Sequence, residues 1–208
     1  QGLAALAALA ARPVLAGLMM ATLMVAIGGG SMQSVFQFWG RDLFQFTLRD
    51  IGIQFMAFAL LSAVGQAGLI GPLARRFGEK PVAVVSILGV TVGLLMFAIA
   101  AHVWMVWAGI AIFGLFLPAL TSLGSFEADP RNRGSVMGLF NAASSAGRII
   151  GSALSGPVYF NVGVSAPFRG SAILVAVGAL LLSRVHAHPV VGTDTYTAPP
   201  PPSDDAVG

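Results

Sequence analysis

GPLARRFGEK, residues 71–80, crowds Arg75, Arg76, Glu79 and Lys80 into one decapeptide, with Gly71, Pro72 and Gly78 among them. On either side the chain is apolar. Residues 13–40, 51–74 and 81–126 contain no Asp, Glu, Lys or Arg. A helix needs roughly 20 apolar residues to cross the hydrocarbon core of a bilayer. The first two runs each suit one crossing, and the third suits two joined by a short turn. The charged decapeptide then reads as a tight turn between the second and third crossings.

The composition agrees with that reading. The chain has 208 residues, of which 56% are hydrophobic and 9% charged, and its mean hydropathy is +0.85. A soluble domain carries about 25% charged residues. Helices are expected over about 13–39, 50–75, 80–100, 104–125, 133–160 and 167–186. In lipid each open-chain crossing must satisfy its own backbone, so the expected fold is an all-α polytopic bundle of six transmembrane helices. Gly28–Gly30, Pro118 and Pro157 fall within spans, where membrane helices tolerate them. Arg169 and Arg184 bracket the last span and can snorkel to its ends. Residues 1–12 read as the end of a central cytoplasmic linker, 13–186 as the helical unit, and the Pro-rich, polar 187–208 as a disordered cytoplasmic tail. The absent Met and the Ala/Leu lead-in suggest part of something longer.

Six crossings put both ends on one side. That side carries Arg12, Arg75, Arg76, Lys80, Arg131, Arg133 and Arg184, and the other carries Arg41, Arg49 and Arg169. The richer side belongs in the cytoplasm. The expected location is the cell membrane, with both termini cytoplasmic. Trp39, Trp104 and Trp107 fall near the outer boundary, where interfacial aromatics belong. The net charge of +3 and pI of about 10.2 do not mean nucleic-acid binding, because the basic residues lie between apolar runs. There is no cysteine, so disulfides and thiolate metal sites are excluded.

Topology alone does not require Gly71, Leu73 and Gly78. G-x-L-x-x-R-x-G-x-K resembles the cytoplasmic loop signature of the major facilitator superfamily, roughly G-x-L-a-D-R-x-G-R-K. The match covers Gly71, Leu73, Ala74, Arg76, Gly78 and Lys80. Arg75 stands where the family often has Asp, and Glu79 where it often has a basic residue; the degraded copy in the second half of these transporters departs similarly. RGSVMGLFNAASSAGRIIGSALSGPVYF, 133–160, resembles the eleventh helix of the drug:proton antiporters. FGLFLPALTSL, 113–123, resembles their tenth helix, and FQFWGRDLFQFTLRDIG, 36–52, the loop after their seventh. The tetracycline exporters are one near branch. The resemblance implies the C-terminal six-helix half of such a transporter. It implies an N-terminal half as partner, a drug-like substrate, and alternating access coupled to protons. It implies no catalysis and no cofactor.

The polar residues suggest the site. Gln33 and Gln37 stand four apart and share a face of the first helix, with Phe36 beside them. Gln54, Ser62 and Gln66 allow a weaker version of the same argument. Asn141, Ser144, Ser145 and Arg148 form one stripe on a Gly-rich helix. The expected substrate-binding residues are Gln33, Phe36, Gln37, Asn141, Ser145 and Arg148. The alternative for the amides is helix–helix hydrogen bonding, worth about 0.6 kcal/mol. Arg148 lies roughly 22 Å of helix beyond Arg133, too deep to reach the cytoplasmic surface. An Arg at that depth costs about 2.5–3.5 kcal/mol or more. A water-filled cavity, a carboxylate from another half or an anionic substrate group would offset it. Gly71, Arg75, Arg76, Gly78 and Lys80 form the expected gating turn, or serve topology alone.

Other classes fare worse. An intramembrane serine protease needs a His within a span, and His102, His186 and His188 all lie outside. A voltage sensor needs Arg at every third position of a helix. Glu127 and Asp129 beside Arg131 and Arg133 suit a solvated loop better than a catalytic pair. The alternatives that remain are a self-contained six-helix permease acting as a homodimer, and a non-transporting membrane protein. The expectation is a protein that is not an enzyme, binds no metal, and meets a small molecule, the bilayer and a second helical half.

Overall fold

The computed structural model describes residues 13–117 and 133–184. All its regular structure is helical: α1 (Pro13–Phe44), α2 (Leu48–Val64), a π-turn (Gly65–Leu69), α3 (Ile70–Phe77), α4 (Glu79–Ala98), α5 (Val103–Phe116), α6 (Arg133–Val162) and α7 (Ala166–Arg184). α2, the π-turn and α3 run on without a break, so the described segments form six rods. Among the described residues, three helical stretches, Ala16–Phe44, Pro81–Ala98 and Ala166–Arg184, are long and apolar enough to cross a membrane. α5 is a shorter apolar helix. The expected linker 1–12, the expected tail 187–208 and residues 118–132, with the end of the expected 104–125 helix and the expected loop holding Glu127 and Asp129, lie outside the described residues.

Local chemistry explains the breaks between rods. α1 ends at Gln45, which takes the left-handed conformation at φ 57°. Its N–H bonds the Arg41 carbonyl, and the Phe46 N–H bonds the Gly40 carbonyl. α2 opens on a capping box: the Asp50 N–H donates to the Thr47 hydroxyl, and the Thr47 N–H donates to the Asp50 carboxylate. Between α3 and α4 stands Gly78, at φ 84° and ψ 161°. That region is open essentially to glycine alone, so the charged turn needs Gly78 for its backbone.

The core is built on α1 and α4. α6 and α7 both pack along α1, α5 and α7 flank α4, and α2 leans on α5. α1 and α6 approach most closely. A Cβ on Gly30 would stand 2.5 Å from the Arg148 carbonyl oxygen, and one on Gly151 would collide with the Ile27 carbonyl. Small residues let membrane helices touch backbone to backbone, so that dispersion does the work done by hydrophobic burial in water. Toward one end, Phe36, Trp39, Phe97 and Phe168 interlock with ring centroids 5.2–5.9 Å apart.

Trp39 departs from the interfacial position expected for it. It is 0% exposed, because its face of α1 turns toward Phe97 of α4 and Phe168 of α7. Its indole N–H finds no acceptor. Trp104 and Trp107, at 63% and 41% exposure, do face outward. α1 runs to Phe44, beyond the expected end at 39, since Phe44 meets Trp39 edge-on and stacks on Phe46. The second rod, expected as plain α-helix, contains the π-turn.

Candidate functional site

α1, α2, the π-turn, the end of α5 and α6 line a half-open cavity of about 240 Å³. α1 contributes Thr22, Val25, Ala26, Gly29 and Gln33; the second rod contributes Phe58, Ser62 and Gln66; Leu117 follows α5; α6 adds Ser144 and Arg148. The wall is mixed, with hydroxyls, amides and one guanidinium set among Val, Leu and Phe. That composition suits a small organic molecule with a few polar groups.

Arg148 is held on its own helix. One terminal nitrogen donates to the Ser144 hydroxyl at 3.2 Å, the other to the Ser145 hydroxyl at 3.4 Å. Its backbone is pinned against Gly30 of α1. The Gly30 carbonyl in turn accepts hydroxyls from Ser34 at 2.9 Å and Ser152 at 3.3 Å. Thr22 closes on the Leu18 carbonyl at 2.8 Å, as a hydroxyl in a membrane helix can. Ser62 donates to the Gly114 carbonyl at 3.1 Å and ties the second rod to α5.

The expected site residues separate into groups. Gln33 and Arg148 line the cavity together, and so do Ser62 and Gln66. Ser145 is exposed and serves as an acceptor for Arg148. Asn141 and Gln37 are exposed and lie outside the cavity lining. Phe36 is 1% exposed and belongs to the aromatic cluster, with its ring against Trp39, Phe55 and Phe97. Gln54 is also buried, and its carbonyl oxygen has no partner. Thr22, Gly29, Phe58 and Leu117 were not expected. Thr22, Gly29 and Gln33 repeat at seven and four residues, a one-face signal readable in the sequence.

In the charged turn, Gly71 and Arg75 lie in α3 and Lys80 in the first turn of α4. Arg76 is exposed, with its guanidinium carbon 5.5 Å from the Phe77 ring centre. At the opposite end, the Tyr159 hydroxyl donates to the Asp42 carboxylate at 2.6 Å and joins α6 to α1. No group of His, Asp or Glu among the described residues could hold a metal ion.

The fold and cavity define a class: a polytopic helix bundle built for a membrane, with a polar cavity among its helices. Residues 13–204 match the Major Facilitator Superfamily, and the chain belongs to that family of integral membrane proteins. It is similar to the tetracycline resistance protein, class C, of Escherichia coli, with 26% identity over 149 residues, 70% of this chain and 38% of that protein. It is also similar to multidrug resistance protein 2 of Bacillus subtilis, with 28% identity over 165 residues, 74% of this chain and 39% of that protein. Its fold matches the crystal structure of the human organic anion transporter MFSD10 (TETRAN). The TM-score is 0.71 at 20% identity, over 81% of this chain and 40% of that one. The chain thus spans about two-fifths of the length of these relatives.

Proposed function

We propose that this chain forms the C-terminal six-helix half of a secondary transporter in the cell membrane. The transporter exports a drug-like small molecule by alternating access, driven by protons. The observation that carries this reading is the cavity among α1, α2, α5 and α6, whose polar groups sit in mid-helix, far from either end of the rods. Transporters of this type bind substrate near the bilayer midplane between two helical repeats. Here Gln33, Ser62, Gln66 and Arg148 supply one wall, and an N-terminal half supplies the other. Asn141 and Gln37, exposed on their helices, face that half or the path to the cavity. The turn at 71–80 faces the cytoplasm with both termini, and its Arg75, Arg76 and Lys80 act at the inner gate. Export of drugs rests on the tetracycline and multidrug resistance relatives.

The test is accumulation of tetracycline and of other drug-like compounds in efflux-deficient cells producing the complete transporter. Accumulation should fall below that of empty cells and recover when a protonophore collapses the proton gradient. Equal accumulation with and without the transporter, for every compound tried, contradicts the reading.

A further inference from the structure

Arg148 is the one charged side chain among the described residues that line the cavity. Among the described residues, no carboxylate lies on the cavity wall beside it. Of the chain's eight Asp and Glu, Asp42 lies near the end of α1, Asp50 in the first turn of α2 and Glu79 at the start of α4, and the others follow in 127–129 and 194–205. The middles of the rods carry no carboxylate. Ser144 and Ser145 take two of the five guanidinium N–H donors, which leaves three. The contact of Gly30 with the Arg148 backbone fixes where that group sits. The neighbouring polar groups, Gln33, Ser62 and Gln66, are neutral.

We infer that the ligand of this cavity carries an anionic oxygen group, carboxylate-like in geometry, which Arg148 holds through its remaining N–H groups. The planar guanidinium matches two oxygens side by side. The apolar body of the ligand then rests on Val25, Phe58 and Leu117. The inference rests on the transport reading above and narrows it, because export of a drug-like compound does not by itself specify a charge.

Two probes of one shape and different charge test it: 2-naphthoate and 2-naphthamide. Each is titrated, with fluorescence as readout, against the complete transporter in nanodiscs. Naphthoate should bind roughly tenfold more tightly, the scale of one hydrogen-bonded charge. Arg148→Gln should abolish that preference. Arg148→Lys should keep part of it, since the charge remains and the fork is lost. A second measurement does not depend on removing Arg148. A cysteine at Gly29, where a Cβ meets nothing within 4 Å, should be shielded from a thiol reagent by naphthoate and not by naphthamide. Equal binding of the two probes, a preference for the amide, equal shielding, or binding of neither overturns the inference. Drug efflux without a naphthoate preference leaves the transport reading standing and removes only the charge assignment. A naphthoate preference without efflux does the reverse.

Discussion

Tyr159 and Asp42 show how one residue pair joins two long helices. The 2.6 Å bond between them ties α6 to α1, with Tyr159 buried and Asp42 exposed. A hydrogen bond to a charged acceptor contributes about 1.5–3 kcal/mol. Exposed Asp42 regains water when the bond is lost, so Tyr159→Phe should cost about 1.5 kcal/mol, the low end of that range. Thermal unfolding of the purified protein in detergent checks this as a lowered Tm. An unchanged Tm would mean the bond adds nothing net. This pair was not legible in the sequence. Nothing in the spacing of residues 42 and 159 links them until α1 and α6 are laid side by side. Arg148 was legible as a stripe-mate of Ser144 on one face of a helix, and the two line the cavity together. Phe36 and Gln37 show the limit of that kind of reading. Four residues of separation put Gln37 on the side of Gln33, yet the cavity stops at Gln33 and the next turn meets the aromatic cluster.

At the scale of elements, α1 and α6 make the tightest helix contact. Gly29 and Gly30 are neighbours on α1 with opposite surroundings: a Cβ on Gly29 enters open space, and one on Gly30 strikes the Arg148 backbone. Gly30→Ala should force the two helices apart, at the cost of about 1–3 kcal/mol typical of overpacking, and should impair transport by moving Arg148. Gly29→Ala should leave stability near wild type. Unfolding of the two variants side by side checks the contrast, and equal stability would refute the close contact. The six rods themselves were readable from charge-free runs and the punctuation at Arg41, Arg75–Arg76 and Arg169. The π-turn was not, because Gly65–Leu69 has no pattern that separates π from α geometry. Trp39 was misplaced because a Trp near a helix end suits the interface and the core equally. Its packing against α4 and α7 decided between them.

At the scale of the molecule, the cavity lies among helices whose outer faces are apolar. Met56, Leu60, Val64, Ile149 and Leu154 all project outward. Such faces meet either lipid or another helical half, and the relatives' lengths leave room for that half. One wall of a binding site cannot alternate its access, because access alternates when two repeats rock about the site between them. The most direct test is transport of tetracycline into or out of sealed proteoliposomes under an imposed proton gradient. Vesicles with this chain alone are compared with vesicles holding the complete transporter. The account predicts gradient-dependent, saturable transport by the complete transporter and none by this chain, although it is inserted at equal density. Saturable transport by this chain alone would contradict it and establish a self-contained six-helix permease instead.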